Sequence, residues 1–178
     1  KWLITARNMY YAATNLSDRL CAARLVVHQG DEVHRAEVLE HFFDRWQSEN
    51  LVVNQWFVMQ ATRPSADCVS DVTALTYHAA FDWRNPNKVR SLISAFAGAN
   101  PTAFHALDGG GYRLLGDAVR RLQSDNPQIA ARMLAPMTRW RRYDHGQAIM
   151  RGELESIEAI DGLSQDVYEV VNRSLRGS

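Results

Sequence analysis

The chain has 178 residues, 46% hydrophobic and 22% charged, a composition that excludes disordered, collagen-like and disulfide-scaffold classes. Its 20 basic and 20 acidic side chains cancel, which argues against a partner such as nucleic acid or an anionic membrane surface, both of which demand excess Lys and Arg. No apolar run approaches the roughly 18 residues that a membrane span needs.

The opening Lys1-Trp2-Leu3-Ile4 is apolar and aromatic and lacks an initiating methionine, so it reads as part of a longer polypeptide. Apolar residues then recur at helical spacing, as in Leu16, Leu20, Ala23 and Val27 or Leu39, Phe42, Phe43 and Trp46. The pattern predicts helices over 15–29, 32–48, 51–62, 66–79, 86–98, 101–107, 111–123, 127–142, 145–159 and 164–176, each end uncertain by roughly 2 to 4 residues. Asn85-Pro86, Asn100-Pro101 and Asn126-Pro127 each place an N-cap side chain before a proline at the first helical position, where the missing N–H costs nothing. Pro136 falls inside a helical pattern and predicts a kink or break.

Short connections between about ten helices imply antiparallel neighbours, an all-α layered stack forming an α-α superhelix, solenoid-like, in a single domain over 1–178. No fixed sequence period names a solenoid class. The stretches 50–62 and 91–107 carry no formal charge with His105 neutral and should form the buried layer, with 32–48 and 145–159 outside. A chain of this size buries roughly 70% of its unfolded surface and needs neither metal nor disulfide, so Cys21 and Cys68 are expected as two buried thiols in a reducing, cytoplasmic setting.

The neutral total conceals an asymmetry. Residues 84–142 hold 10 basic and 3 acidic side chains and no glutamate, while 1–83 hold 7 and 10 and 143–178 hold 3 and 7. Arginines in the middle segment therefore have few local partners. Gln128 and Arg132, four apart after Asn126-Pro127, would project together from the N-terminal end of a helix, where amides, dipole and guanidinium suit a carboxylate, with Arg90 on a second helix as a contributor. An intrachain salt bridge is the equal alternative.

Other constellations favour structural roles. His34, Glu37 and His41 lie at i, i+3 and i+7, but seven residues rise about 10.5 Å, too far for both imidazoles to sit about 2 Å from one zinc ion. A solvated amphipathic face is expected there, and no metal site. His78 and His105 read as structural histidines. Asp108-Gly109-Gly110-Gly111 reads as a turn between helices, since no phosphate-loop pattern is complete. Arg139-Trp140-Arg141-Arg142 reads as a helix end favoured by the dipole.

The segment Asn50-Leu51-Val52-Val53-Asn54-Gln55-Trp56-Phe57-Val58-Met59-Gln60-Ala61-Thr62 resembles the C-terminal helical domain of bacterial aminopeptidase N, a zinc metallopeptidase of the gluzincin class. So do Phe81 to Ile93, Ala95 to Pro101, Ala103 to Ala106, Asp108-Gly109 and Asn126 to Arg132 through Tyr143-Asp144. The likeness spans essentially the whole chain and is weakest over 29–48. Lys88 stands where arginine is common and Gly110 where serine is common. Neither H-E-x-x-H nor G-x-M-E-N occurs, so the resemblance implies no catalytic residue and no cofactor in this chain, with the zinc of the parent enzyme, its general base and its amine clamp upstream of Lys1. It implies a domain that caps the active-site chamber, partnered by the upstream catalytic domain of the same polypeptide and by peptide substrates, with Gln128, Arg132 and Arg90 as substrate-binding residues. A stand-alone helical module binding protein or RNA is the alternative from another class.

Overall fold

The computed structural model describes residues 1–177, which are all-helical with no strand among them. In chain order the elements are α1 (Trp2–Ala12), α2 (Leu16–Gln29), α3 (Glu32–Trp46), α4 (Asn50–Ala61) and α5 (Cys68–Leu75). Next come α6 (Pro86–Val89), a π-helical turn (Arg90–Ser94), α7 (Ala95–Ala99), α8 (Pro101–Phe104) and α9 (Gly110–Leu122). The chain ends through α10 (Pro127–Met133), a 3-10 turn (Met137–Arg142), α11 (Gln147–Glu158) and α12 (Gln165–Arg176).

Each of the three Asn-Pro pairs starts a helix. The side chains of Asn85, Asn100 and Asn126 accept from the amides of Asn87, Ala103 and Ile129 respectively. Pro136 breaks the helix expected over 127–142, because its ring admits no amide donor, and the chain continues as the 3-10 turn with a kink at Arg139 (φ −93°, ψ 16°). The expected helix over 66–79 is shorter, since only Cys68–Leu75 is regular before a series of turns.

Packing runs mainly between chain neighbours: α1 on α2, α2 on α3, α8 on α9, α9 on α10 and α11, and α12 on α10 and α11. That is the stacked superhelix the short connections imply. Helix α4 sits at the centre of the first half, touching α2, α3, α5 and the π-helical turn. It buries Val53, Trp56, Phe57, Met59 and Ala61, and the Trp56 indole donates to the Leu39 carbonyl at 3.0 Å. At the π-helical turn three consecutive residues, Ser91, Leu92 and Ile93, are all buried, which one extra residue in the helical turn permits. Outside, α3 buries only Val38 and Phe42, and α11 only Met150, Leu154 and Ile157.

Residues 2–12 form a helix where none was predicted; α1 buries just Ala6 and Tyr10, and Lys1 gives it no side-chain cap. Cys68 is buried but Cys21 is exposed, because it lies on the outward face of α2.

Candidate functional site

Gln128 and Arg132 project from α10, whose start is fixed by the Asn126 cap and Pro127. They line a shallow groove of about 360 Å³ whose opposite wall is α12, contributing Asp166, Glu169 and Val170. Both side chains are exposed. The salt-bridge alternative does not materialise: among the described residues the ion pairs leave Arg132 and Arg90 without a carboxylate within 4 Å. The groove differs from the anion site expected in two ways. Helix α10 has only 7 residues, too few to build much of a dipole, and two carboxylates share the groove with one guanidinium. Such a mixture of donors and acceptors suits a peptide, which carries both N–H and carboxylate groups, better than a bare anion.

Arg90 stands apart. It opens the π-helical turn, is exposed, donates to the Asn87 side chain at 3.3 Å, and lines no part of this groove.

The face of α3 carrying His34, Glu37 and His41 stays partly exposed, as an amphipathic surface face does, and side chains of α1 reach across to Glu37 and His41. Glu37 accepts from Arg7 Nη2 at 2.5 Å and from the Tyr11 hydroxyl at 2.8 Å, and these two donors hold its carboxyl below the usual range. His41 Nδ1 meets the Tyr10 hydroxyl at 2.7 Å, and His34 Nδ1 meets Asp31 at 2.7 Å. The Glu37 carboxylate and both Nδ1 atoms are taken by different partners, and no group of three His, Cys, Asp or Glu side chains among the described residues is arranged to hold a metal ion.

His78 is enclosed by Phe43, Trp56 and Phe57, and its Nδ1 accepts from the Ala80 amide at 3.1 Å, a structural role as expected. The glycine turn serves packing. Gly109 takes φ 71°, and a Cβ on Gly111 would stand 2.5 Å from the Phe104 carbonyl oxygen, so α8 and α9 approach as only glycine permits. Arg141 caps the end of α12, donating to the Ser174 and Leu175 carbonyls at 2.6 and 2.9 Å, with its guanidinium 4.0 Å above the Trp140 ring.

A second cleft of about 310 Å³ opens between α7–α8 and the 3-10 turn, with His105, Arg139 and Tyr143 as its polar lining. In the sequence His105 reads as structural and Arg139 as a helix-end residue. Their 34-residue separation hides the cleft, one wall of which is the 3-10 turn that follows Pro136.

Residues 1–176 match the family described as domain of unknown function (DUF3458_C) ARM repeats. Aminopeptidase N of Escherichia coli strain K12 is 39% identical over 173 residues, 97% of this chain and 20% of that protein. Aminopeptidase N of Haemophilus influenzae is 38% identical over 168 residues, 94% of this chain and 19% of that protein. The crystal structure of Legionella pneumophila aminopeptidase A in complex with aspartic acid superposes with a TM-score of 0.91 at 31% identity, covering 97% of this chain and 20% of that one. The chain thus spans about a fifth of the length of the curated relatives it matches.

Proposed function

Since the chain belongs to the DUF3458_C ARM-repeat family and is similar over nearly all its length to a fifth of bacterial aminopeptidase N, we propose that it is the C-terminal domain of a zinc-dependent aminopeptidase that releases N-terminal amino acids from peptides. The domain caps the active-site chamber and helps bind and admit the peptide, and it contributes no catalytic group. A zinc ion held by the upstream catalytic domain, its partner in the same polypeptide, would supply the activated water. Gln128 and Arg132 orient the part of the peptide beyond the scissile bond, Arg132 through the carboxylate and Gln128 through backbone amides. Arg90, outside that groove on the π-helical turn, would contact the peptide elsewhere along its length. A cytoplasmic setting is supported by the two unpaired cysteines.

The observation that carries this reading is the full-length correspondence with one segment of a known enzyme. It is tested by assaying the purified chain on an alanyl chromogenic substrate with added zinc, alone and after joining to the upstream portion of its reading frame. The expected result is no turnover alone and turnover when joined. Hydrolysis by the chain alone, or an upstream frame without H-E-x-x-H, would overturn it.

A further inference from the structure

The cleft between α7–α8 and the 3-10 turn holds an arrangement that the peptide groove does not use. Its walls are small or rigid, among them Ala97, Pro101 and Ala135, and three polar side chains open into it. The His105 ring is fixed on two sides. It stacks on Tyr143 with ring centroids 4.0 Å apart and planes 19° from parallel, and its Nδ1 lies 2.9 Å from the hydroxyl of buried Tyr112. That buried hydroxyl has no other hydrogen-bond partner among the described residues, and its proton would lack an acceptor if Nδ1 carried the ring proton, so the tautomer is assigned with Tyr112 donating to Nδ1 and the proton on Nε2.

Two glycines keep this geometry. A Cβ on Gly146 would collide with the Tyr112 hydroxyl, and a Cβ on Gly111 would push α9 away from Phe104, the residue before His105. Burial lowers the imidazole below its ordinary value, which keeps it neutral with one N–H to give. Arg139, exposed at the kink of the 3-10 turn, has no carboxylate within ion-pairing distance among the described residues. A fixed N–H donor and an unpaired guanidinium thus line one pocket.

We propose that this cleft is a separate binding site for a carboxylate group of a peptide, held by the Arg139 guanidinium and the His105 Nε2–H. One guanidinium and one neutral imidazole match a single negative charge. A phosphate dianion would call for more cations or a nest of backbone amides. Proline, alanine and the Tyr143 ring beside them supply apolar surface for the rest of a residue. The carboxylate comes from a chain terminus or from an Asp or Glu side chain, and three peptides separate these sources. The proposal shares no residue with the Gln128–Arg132 groove and does not rest on the aminopeptidase reading.

The test is a titration of the 178-residue chain, followed by NMR of the His105 and Arg139 side-chain nitrogens. The probes are Ala-Ala-Ala with a free terminus, acetyl-Ala-Glu-Ala-amide and acetyl-Ala-Gln-Ala-amide. One or both carboxylate peptides should shift both side chains and bind about tenfold or more tightly than the glutamine peptide. Arg139→Gln should abolish the carboxylate-dependent shift of the His105 ring nitrogens with the melting temperature unchanged, while Arg24→Gln, on α2, should keep it. Equal shifts of the His105 nitrogens by all three peptides, His105 shifts unaltered by Arg139→Gln, or tighter binding of inorganic phosphate than of any peptide at this cleft would overturn the proposal.

Discussion

The hydroxyl of Tyr10 on α1 meets Nδ1 of His41 on α3 at 2.7 Å, one step along the chain from the Tyr11–Glu37 hydrogen bond. Tyr10 is fully buried and His41 half-buried, so this bond is better shielded from water than the Arg7–Glu37 pair. Tyr10→Phe keeps the ring and removes one hydrogen bond, and should lower stability by about 1 kcal/mol in chemical denaturation. Breaking the exposed Arg7–Glu37 pair with Arg7→Gln should cost less, because solvent screens that pair. An equal or larger effect of Arg7→Gln would reverse the ranking of the two contacts.

The two cysteines should differ sharply in reactivity. Cys68 is buried, donates to the Gln60 carbonyl at 3.3 Å, and burial pushes its thiol up to about 11. Cys21 is exposed on α2. A chromogenic disulfide reagent at neutral pH should therefore titrate a single thiol in the native protein and both after denaturation. Cys21→Ser should leave the native protein unreactive.

Lys88 is 4% exposed, forms no ion pair among the described residues, and places its Nζ 5.5 Å from the Phe57 ring centroid. Burial lowers its ammonium from the ordinary value, so the charged form is held at a cost in the folded state. Lys88→Met keeps the stem and removes the charge, and should raise stability by about 1 kcal/mol. A loss of stability would show that the ring and nearby water compensate the charge fully.

Burial lowers His28, His78 and His105 from their ordinary value of 6.5. The unfolded chain therefore binds protons first as pH falls. The stability these neutral rings contribute is complete above about pH 6.5 and is lost as pH falls through their lower folded values. Denaturation midpoints should be flat between about pH 7 and 8 and decline toward pH 5. His78→Phe, in its aromatic enclosure, should flatten part of that decline. An unchanged slope would remove His78 from the account.

In the parent enzyme Arg132→Ala should raise KM for short peptides more than it lowers kcat, since the residue is proposed to hold substrate and not to act on the bond. Arg132→Lys should restore part of the loss, as it keeps the charge without the bidentate fork. The KM increase should disappear for substrates whose far carboxylate is amidated. Unchanged kinetics would remove the proposed role.

Most helix starts were legible because their signals are local. Asn85, Asn100 and Asn126 cap their own following amides, and a cap needs only a few consecutive residues. Helix α1 escaped because it lacks such a signal: its only buried positions are Ala6 and Tyr10, while Trp2, Ile4 and Met9 are exposed. Its tie to α3 runs through Arg7, Tyr10 and Tyr11, contacts spanning 26 to 31 residues that no periodicity announces. The Gln128–Arg132 pairing was visible from spacing on one helix, but Asp166 and Glu169 come from α12 and change the groove's charge. The repeat was invisible for a related reason: helices stack alike while their exposed faces vary freely.

Asn100 has a consequence beyond starting α8. Its buried amide donates to the carbonyls of Ala61 and Arg63 at 2.9 and 2.7 Å while its oxygen accepts from Ala103. A stack held only by neighbouring layers bends like a spring, each layer giving a little. Asn100 adds to the packing of α4 and α5 against later helices a directed polar tie that fixes the end of α4 in register with the start of α8, with no ion pair or disulfide involved.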